Sequence, residues 1–173
     1  AEYYYAELVA NITAPANGVD IMGGSEFTVT ANVTNNGTGY AQDVKATIAI
    51  SGNATLKTGQ VATKTVATQL PAVNGTGQVS WILVCTGAGT VGINVTPSGI
   101  EPNTLNPITP DKIHPATVSV NQKKILEVTI LTPADLTAFN VTDEFPVTAR
   151  VENVSSLNAT DVTLTISIDR YAT

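Results

Sequence analysis

The chain has 173 residues, a net charge of −6 and a hydrophobic fraction of 43%, which is apolar enough to build a core and too acidic for nucleic acid, whose phosphates demand a basic patch. Charged residues make up only 13%, about half the roughly 25% usual in soluble proteins. Threonine, present 27 times, takes over the solubilising role in a form that suits pleated strands. No apolar run approaches the ~18 residues of a spanning helix and no Lys/Arg cluster offers an anionic membrane a foothold, so membrane insertion by this segment is not expected. The start at Ala1-Glu2 fits a mature or trimmed chain.

In chain order, strands are predicted near 6–13, 26–34, 42–51, 60–69, 78–85, 90–96 and 116–122, because apolar and polar residues alternate with period 2 and no segment has period 3.6. Phe27-Thr28-Val29-Thr30-Ala31-Asn32-Val33 and Val44-Lys45-Ala46-Thr47-Ile48 are typical. Turn signals such as Asn35-Asn36-Gly37, Ser51-Gly52-Asn53 and Asn74-Gly75 separate the strands. Pro97, Pro102, Pro107, Pro110 and Pro115 read as a long loop before the last strand. Seven short antiparallel strands imply a sandwich of two sheets.

Sliding the sequence on itself by 118 residues aligns 8–51 with 126–169, without a gap and with 17 identities in 44 positions. Leu8/Leu126, Pro15/Pro133, Phe27/Phe145, Val33/Val151, Asn35/Asn153 and Asp43/Asp161 are among them. The chain therefore divides into a complete repeat, 1–123, and the first half of a second copy, 124–173. In the second copy, strands are expected at 147–151 and 162–168.

The pattern Phe27-x-Val29-x-Ala31-x-Val33-x-Asn35-x-Gly37, followed by Ala41-x-Asp43-Val44 and later by Trp81-x-Leu83 and Gly89-x-x-x-Ile93-x-Val95, resembles the CARDB-type repeats of archaeal and bacterial surface proteins. The second repeat departs from it by placing Ser155 where the first has Gly37. The resemblance implies an all-β, immunoglobulin-like antiparallel sandwich in a surface layer, adhesin, filament or accessory module of a secreted enzyme, with no catalytic residues. With the density of sequons, it also suggests an archaeal source.

The residues themselves offer little chemistry. One Cys and one His cannot make a zinc site. Cys85 shares a strand face with Trp81 and Leu83 and reads as a buried thiol. His114 reads as a bystander in the Pro-rich loop. Asp143-Glu144 beside Asn140 is the densest set of oxygen ligands, but Ser25-Glu26 at the matching positions argues against a repeated calcium device. Asp43 and Asp161 read as turn-formers bonding nearby amides. Neither an enzyme nor a bound cofactor is expected, N-linked glycans apart.

Nine Asn-x-Ser/Thr acceptors, at Asn11, Asn32, Asn36, Asn53, Asn74, Asn94, Asn140, Asn153 and Asn158, stand against about three expected by chance, and point to an extracellular glycoprotein. For subunit contacts the candidates are Tyr3, Tyr4 and Tyr5, with Val147, Val151, Leu164, Ile166 and Ile168 on the half-repeat, which cannot bury its inner face alone. Either further repeats of the same chain complete it, or a neighbouring copy does so in a homopolymer. The expected function is a structural component of an extracellular assembly (surface layer, stalk or filament). The alternative is an adhesion or carbohydrate-binding module, which an exposed Trp81 would favour.

Overall fold

The computed structural model describes residues 4–123, 125–135, 137–155 and 158–168. Twelve strands follow in chain order: β1 Leu8–Ala14, β2 Val19–Met22, β3 Glu26–Asn35, β4 Ala41–Ser51, β5 Ala54–Leu56, β6 Thr63–Leu70, β7 Gly75–Cys85, β8 Gly89–Ile100, β9 Ile113–His114, β10 Ala116–Lys123, β11 Leu126–Thr132 and β12 Thr148–Asn153. They form a sheet ordered β5-β7-β3-β1-β9, a second ordered β2-β10-β8-β4-β6, and a separate pair, β11-β12. The first two are the layers of an immunoglobulin-like sandwich, as the alternation predicts.

The inner faces follow from the period of 2. Val29, Ala31 and Val33 on β3, with Val79, Trp81 and Leu83 on β7, face Val44, Ala46 and Ile48 on β4 and Val91, Ile93 and Val95 on β8, all within one buried cluster. Trp81 lies in this core at 0% exposure, its indole N–H donating to the Ala62 carbonyl at 3.0 Å. Burying a large side chain of this kind stabilises by roughly 1.5–3 kcal/mol. The outward positions carry Thr, Asn, Gln and Ser, joined across strands by bonds such as Thr34–Thr76 (2.9 Å), Thr47–Thr63 (2.9 Å) and Gln78–Asn32 (3.0 Å). Both outer faces are thus polar and largely uncharged.

The seven predicted strands are present, and the structure adds three short ones. β2 runs parallel to β10 and β9 parallel to β1, while β5 is an edge beside β7. These pieces of two to four residues are too short to carry a readable alternation. The Pro-rich stretch is more ordered than a loop, with a 3-10 turn at Pro110–Lys112 and His114 in β9. Pro97 lies inside β8, a central strand, because the ladder with β10 ends at Val95↔Ala116 and one flank is open beyond it.

Asp43 lies near the start of β4, as the third residue of the strand, and has φ 51°. Its reason is conformational: a left-handed residue there lets the ladders shift register between Gln42 and Lys45, so that Ala41 and Val44, three apart, both point inward. Asp tolerates that conformation better than most residues.

The 118-residue offset recurs in the backbone. β1 and β3 pair Leu8↔Asn35, Ala10↔Val33 and Ile12↔Ala31, with a register shift before Ala14↔Thr30. β11 and β12 pair Leu126↔Asn153, Val128↔Val151 and Ile130↔Ala149, with the shift before Thr132↔Thr148. Asp161 repeats the left-handed backbone of Asp43 at φ 53°. The expected strand at 162–168 does not form. Its counterpart, β4, is held between β6 and β8, whereas no strand among the described residues flanks 162–168. The strand has no ladder to join, and a single strand in water is not stable.

Candidate functional site

Catalytic chemistry finds no constellation in the described residues. No group of three His, Cys, Asp or Glu side chains among them could hold a metal ion. Cys85 is buried, and burial pushes its thiol pKa up, away from the reactive thiolate. His114 Nε2 and Glu7 Oε1 are 2.8 Å apart, a pair that pins β9 beside the start of β1. Asp143 closes a local turn, its Oδ2 accepting from the Asn140 backbone amide (2.9 Å) and Nδ2 (3.1 Å). Glu101 is buried, with both carboxylate oxygens accepting the Ala6 amide (3.1 and 3.2 Å), and so anchors the entering chain.

A buried asparagine organises that end of the sandwich. Asn35, at 0% exposure, accepts from the Glu7 and Gly37 amides through Oδ1, both at 3.1 Å. Its Nδ2 donates to the carbonyls of Gly39, Leu70 and Pro71 at 2.9, 3.3 and 3.1 Å. One side chain thus ties three chain segments together. Gly37 fits because there is no room for a side chain: a Cβ would meet the Tyr5 carbonyl oxygen at 2.2 Å and the Glu7 nitrogen at 2.7 Å. The sequence carried a signal for this corner, since Asn35 shares the inward parity of Val29, Ala31 and Val33, where an apolar residue would otherwise stand.

The tyrosines divide. Tyr3 lies outside the described residues. Tyr5 belongs to the fold, with Lys112 Nζ 4.4 Å from its ring centroid, its carbonyl accepting the Gly39 amide at 2.7 Å and its own amide donating to Thr38. Tyr4 is half exposed and, with Tyr40, Pro71 and Pro102, lines an open depression of about 420 Å³. Residues 4–7 are irregular and β1 begins at Leu8, two residues after the predicted start.

The apolar residues of the second repeat lie open. Val147, the counterpart of fully buried Val29, is 43% exposed, and Leu164, Ile166 and Ile168 are more than half exposed. Val151, the counterpart of fully buried Val33, is partly exposed. Every residue of β11 is exposed, including Val128 and Ile130. Among the described residues, this is the largest set of apolar side chains that the fold leaves uncovered.

None of the nine sequon asparagines is buried. Asn32 and Asn94, in strands, are partly exposed, and the other seven are exposed.

Two five-stranded layers closed by alternating apolar faces, with an Asn corner and a left-handed bulge in the fourth strand, define an immunoglobulin-like antiparallel β-sandwich. The CARDB family model matches residues 7–100, and the chain belongs to the CARDB family. Among solved structures it is similar to the CARDB domain of a Pyrococcus furiosus protein, crystallised in complex with di-metal ions, at 19% identity over 70% of this chain and 97% of that one, with a TM-score of 0.50. Salmonella alpha-2-macroglobulin matches at 16% identity and a TM-score of 0.48, covering 73% of this chain and 8% of that one. No curated protein sequence matches the chain.

Proposed function

We propose that this chain is a structural module of an extracellular assembly (a surface layer, stalk or filament), N-glycosylated and joined to its neighbours through β-strand and sheet contacts. Membership of the CARDB family suggests a secreted or cell-surface setting. The observation that carries the reading is the open apolar face of residues 126–168, where Val147, Leu164, Ile166 and Ile168 stand exposed while the matching face of the first repeat is closed by a second sheet. A face of this kind requires a cover in water. The cover is β-structure, either from further repeats of the same polypeptide or from another copy of it. In the second case the contact is head-to-tail and self-propagating. Thr- and Asn-rich outer faces with few charges, and nine sequons with no buried asparagine, suit a glycan-coated structural module.

Negative-stain electron microscopy of the native material, with intact mass on the same sample, tests this. Filaments or a lattice with mass above the polypeptide by sugar increments is the expected result. Discrete, unmodified monomers would overturn the reading. The alternative, an adhesion or carbohydrate-binding module, loses its Trp81 platform to burial and keeps exposed aromatics at Tyr4 and Tyr40 and at the stacked Phe139–Phe145 pair.

The metal ions of the Pyrococcus furiosus domain are not carried over, because the described residues of this chain contain no cluster to hold them.

A further inference from the structure

We propose that the glycans of the first repeat are attached before that repeat folds, and that the folded chain accepts sugar only at Asn140 and Asn158. This rests on the reading of the chain as a glycoprotein and adds an order of events and a choice of sites to it.

The argument is one of backbone commitment. Transfer joins the anomeric carbon of a lipid-phosphate-linked saccharide to the Asn Nδ2. The sugar–phosphate C–O bond breaks, and the lipid phosphate and one Nδ2 proton leave. An enzyme that reads Asn-x-Ser/Thr must grip the carboxamide and the hydroxyl two residues on, so the three residues have to come away from their own fold. Exposure of the Asn tip is therefore not enough.

Every sequon of the first repeat is tied. Asn32–Thr34 lies in β3, laddered on one side to β1 and on the other to β7. Asn94–Thr96 lies in β8 between β10 and β4, and the Asn94 side chain bonds Thr117 and Thr96. Asn11–Thr13 is paired with β3, and the Thr13 hydroxyl donates to the Thr30 carbonyl. The three turn sequons, which look free in the sequence, are held as firmly. The Asn36 amide donates to Glu7 at 2.8 Å and the Thr38 hydroxyl accepts from Tyr5. The Asn74 amide donates to the Asn35 carbonyl at 2.9 Å, and the Thr76 hydroxyl bonds Thr34 and the Asn74 carbonyl. Asn53 Nδ2 donates to Ala88 at 2.9 Å, and its carbonyl accepts from both Thr86 and Gln122. Releasing any of these breaks several bonds in or beside the core at once, and local opening of such segments costs up to the global stability.

In the second repeat, Asn153 is tied through β12 and the two Ser155 bonds, on one side only and so less firmly than Asn32, but still within a ladder. Asn158–Thr160 is not: it is exposed and outside any strand. Asn140 is held only by Asp143, three residues away, in a turn that opens without disturbing any ladder.

The test supplies a purified oligosaccharyltransferase with a labelled lipid-pyrophosphate-linked oligosaccharide and two kinds of acceptor. One is the folded, sugar-free 173-residue chain; the other is a set of short peptides, one for each sequon. Peptides for all nine sites should be modified. The folded chain should be modified at Asn140 and Asn158 at rates near those of their peptides, and at least tenfold more slowly at the other seven. Glycopeptide analysis of native material should find sugar at Asn32 or Asn94. Modification of folded Asn32 or Asn94 at the peptide rate would overturn the order of events, as would native sugar confined to Asn140 and Asn158. Native material free of sugar at every site would overturn the glycoprotein reading itself, and is told apart by intact mass.

Discussion

Residues 8–35 and 126–153 are the same strand pair made twice, with the same register and the same shift near its end, in two different environments. In the first repeat, a second sheet covers the inner face and Val33 and Ala31 are fully buried. In the second, no strand among the described residues covers the pair, and the apolar side chains are open to water. The pair therefore depends on adjacent sequence for its register and on distant sequence for most of its stability. A hairpin-like pair can find its partner by local pattern. It gains the larger free energy only when an opposing sheet removes its apolar face from water.

Substitutions at matched positions are the sharpest way to break this comparison. The largest effect is expected at the core centre, where Trp81→Ala should cost about 3–5 kcal/mol by denaturant unfolding, since it leaves a cavity that the sheets cannot fill. Asn35→Ala should cost on the order of 3 kcal/mol, because it strands several buried amides and carbonyls. Asn153→Ala, at the matching exposed position, should cost less than about 0.5 kcal/mol in this chain. Gly37→Ser, which copies the second repeat's residue into the first, should destabilise by roughly 2 kcal/mol through the collision with the Tyr5 carbonyl. Comparable loss on Asn153→Ala would mean that the second repeat already has its cover.

A smaller pair of effects probes the bulge. Asp43→Val should cost about 1–2 kcal/mol, because a β-branched residue resists φ 51°. Asp161→Val should be nearly neutral, since no strand forms after it. The smallest effect concerns acid. The Lys123 ammonium beside Asp20 holds its carboxyl pKa below the ordinary carboxylate range. Its contribution is thus complete above that range and is lost as pH falls through the lowered value. Carboxylate NMR titration of Asp20, with and without Lys123→Met, should find the shift much smaller in the variant, where only the Asn121 hydrogen bond still lowers it.

Alternation made the seven long strands of the first repeat legible from the residues, because each half-buried strand writes its burial into a period of 2. The duplication was legible for the same reason. What the sequence did not reveal depends on partners rather than patterns. β2, β5 and β9 exist because a neighbouring strand offers an edge, and nothing in Val19–Met22 or Ile113–His114 announces one. Val162–Ile168 alternates as cleanly as β4, yet stays out of any ladder because periodicity describes a strand's faces, not its neighbours. Asp43 was read as a turn residue when its value lies in a left-handed backbone within a strand. Of the candidate contact residues, Tyr5 proved to be part of the fold's own clasp.

Amide hydrogen exchange, read for β3 and β12 on two samples, tests the central claim most directly. In the isolated 173-residue chain, the β12 amides should exchange orders of magnitude faster than their β3 counterparts. In native assembled material the two should approach one another, because a completing set of strands then closes the second sandwich. Equal protection of β12 and β3 in an isolated, monomeric chain would contradict the account, as would unprotected β12 amides in the native material.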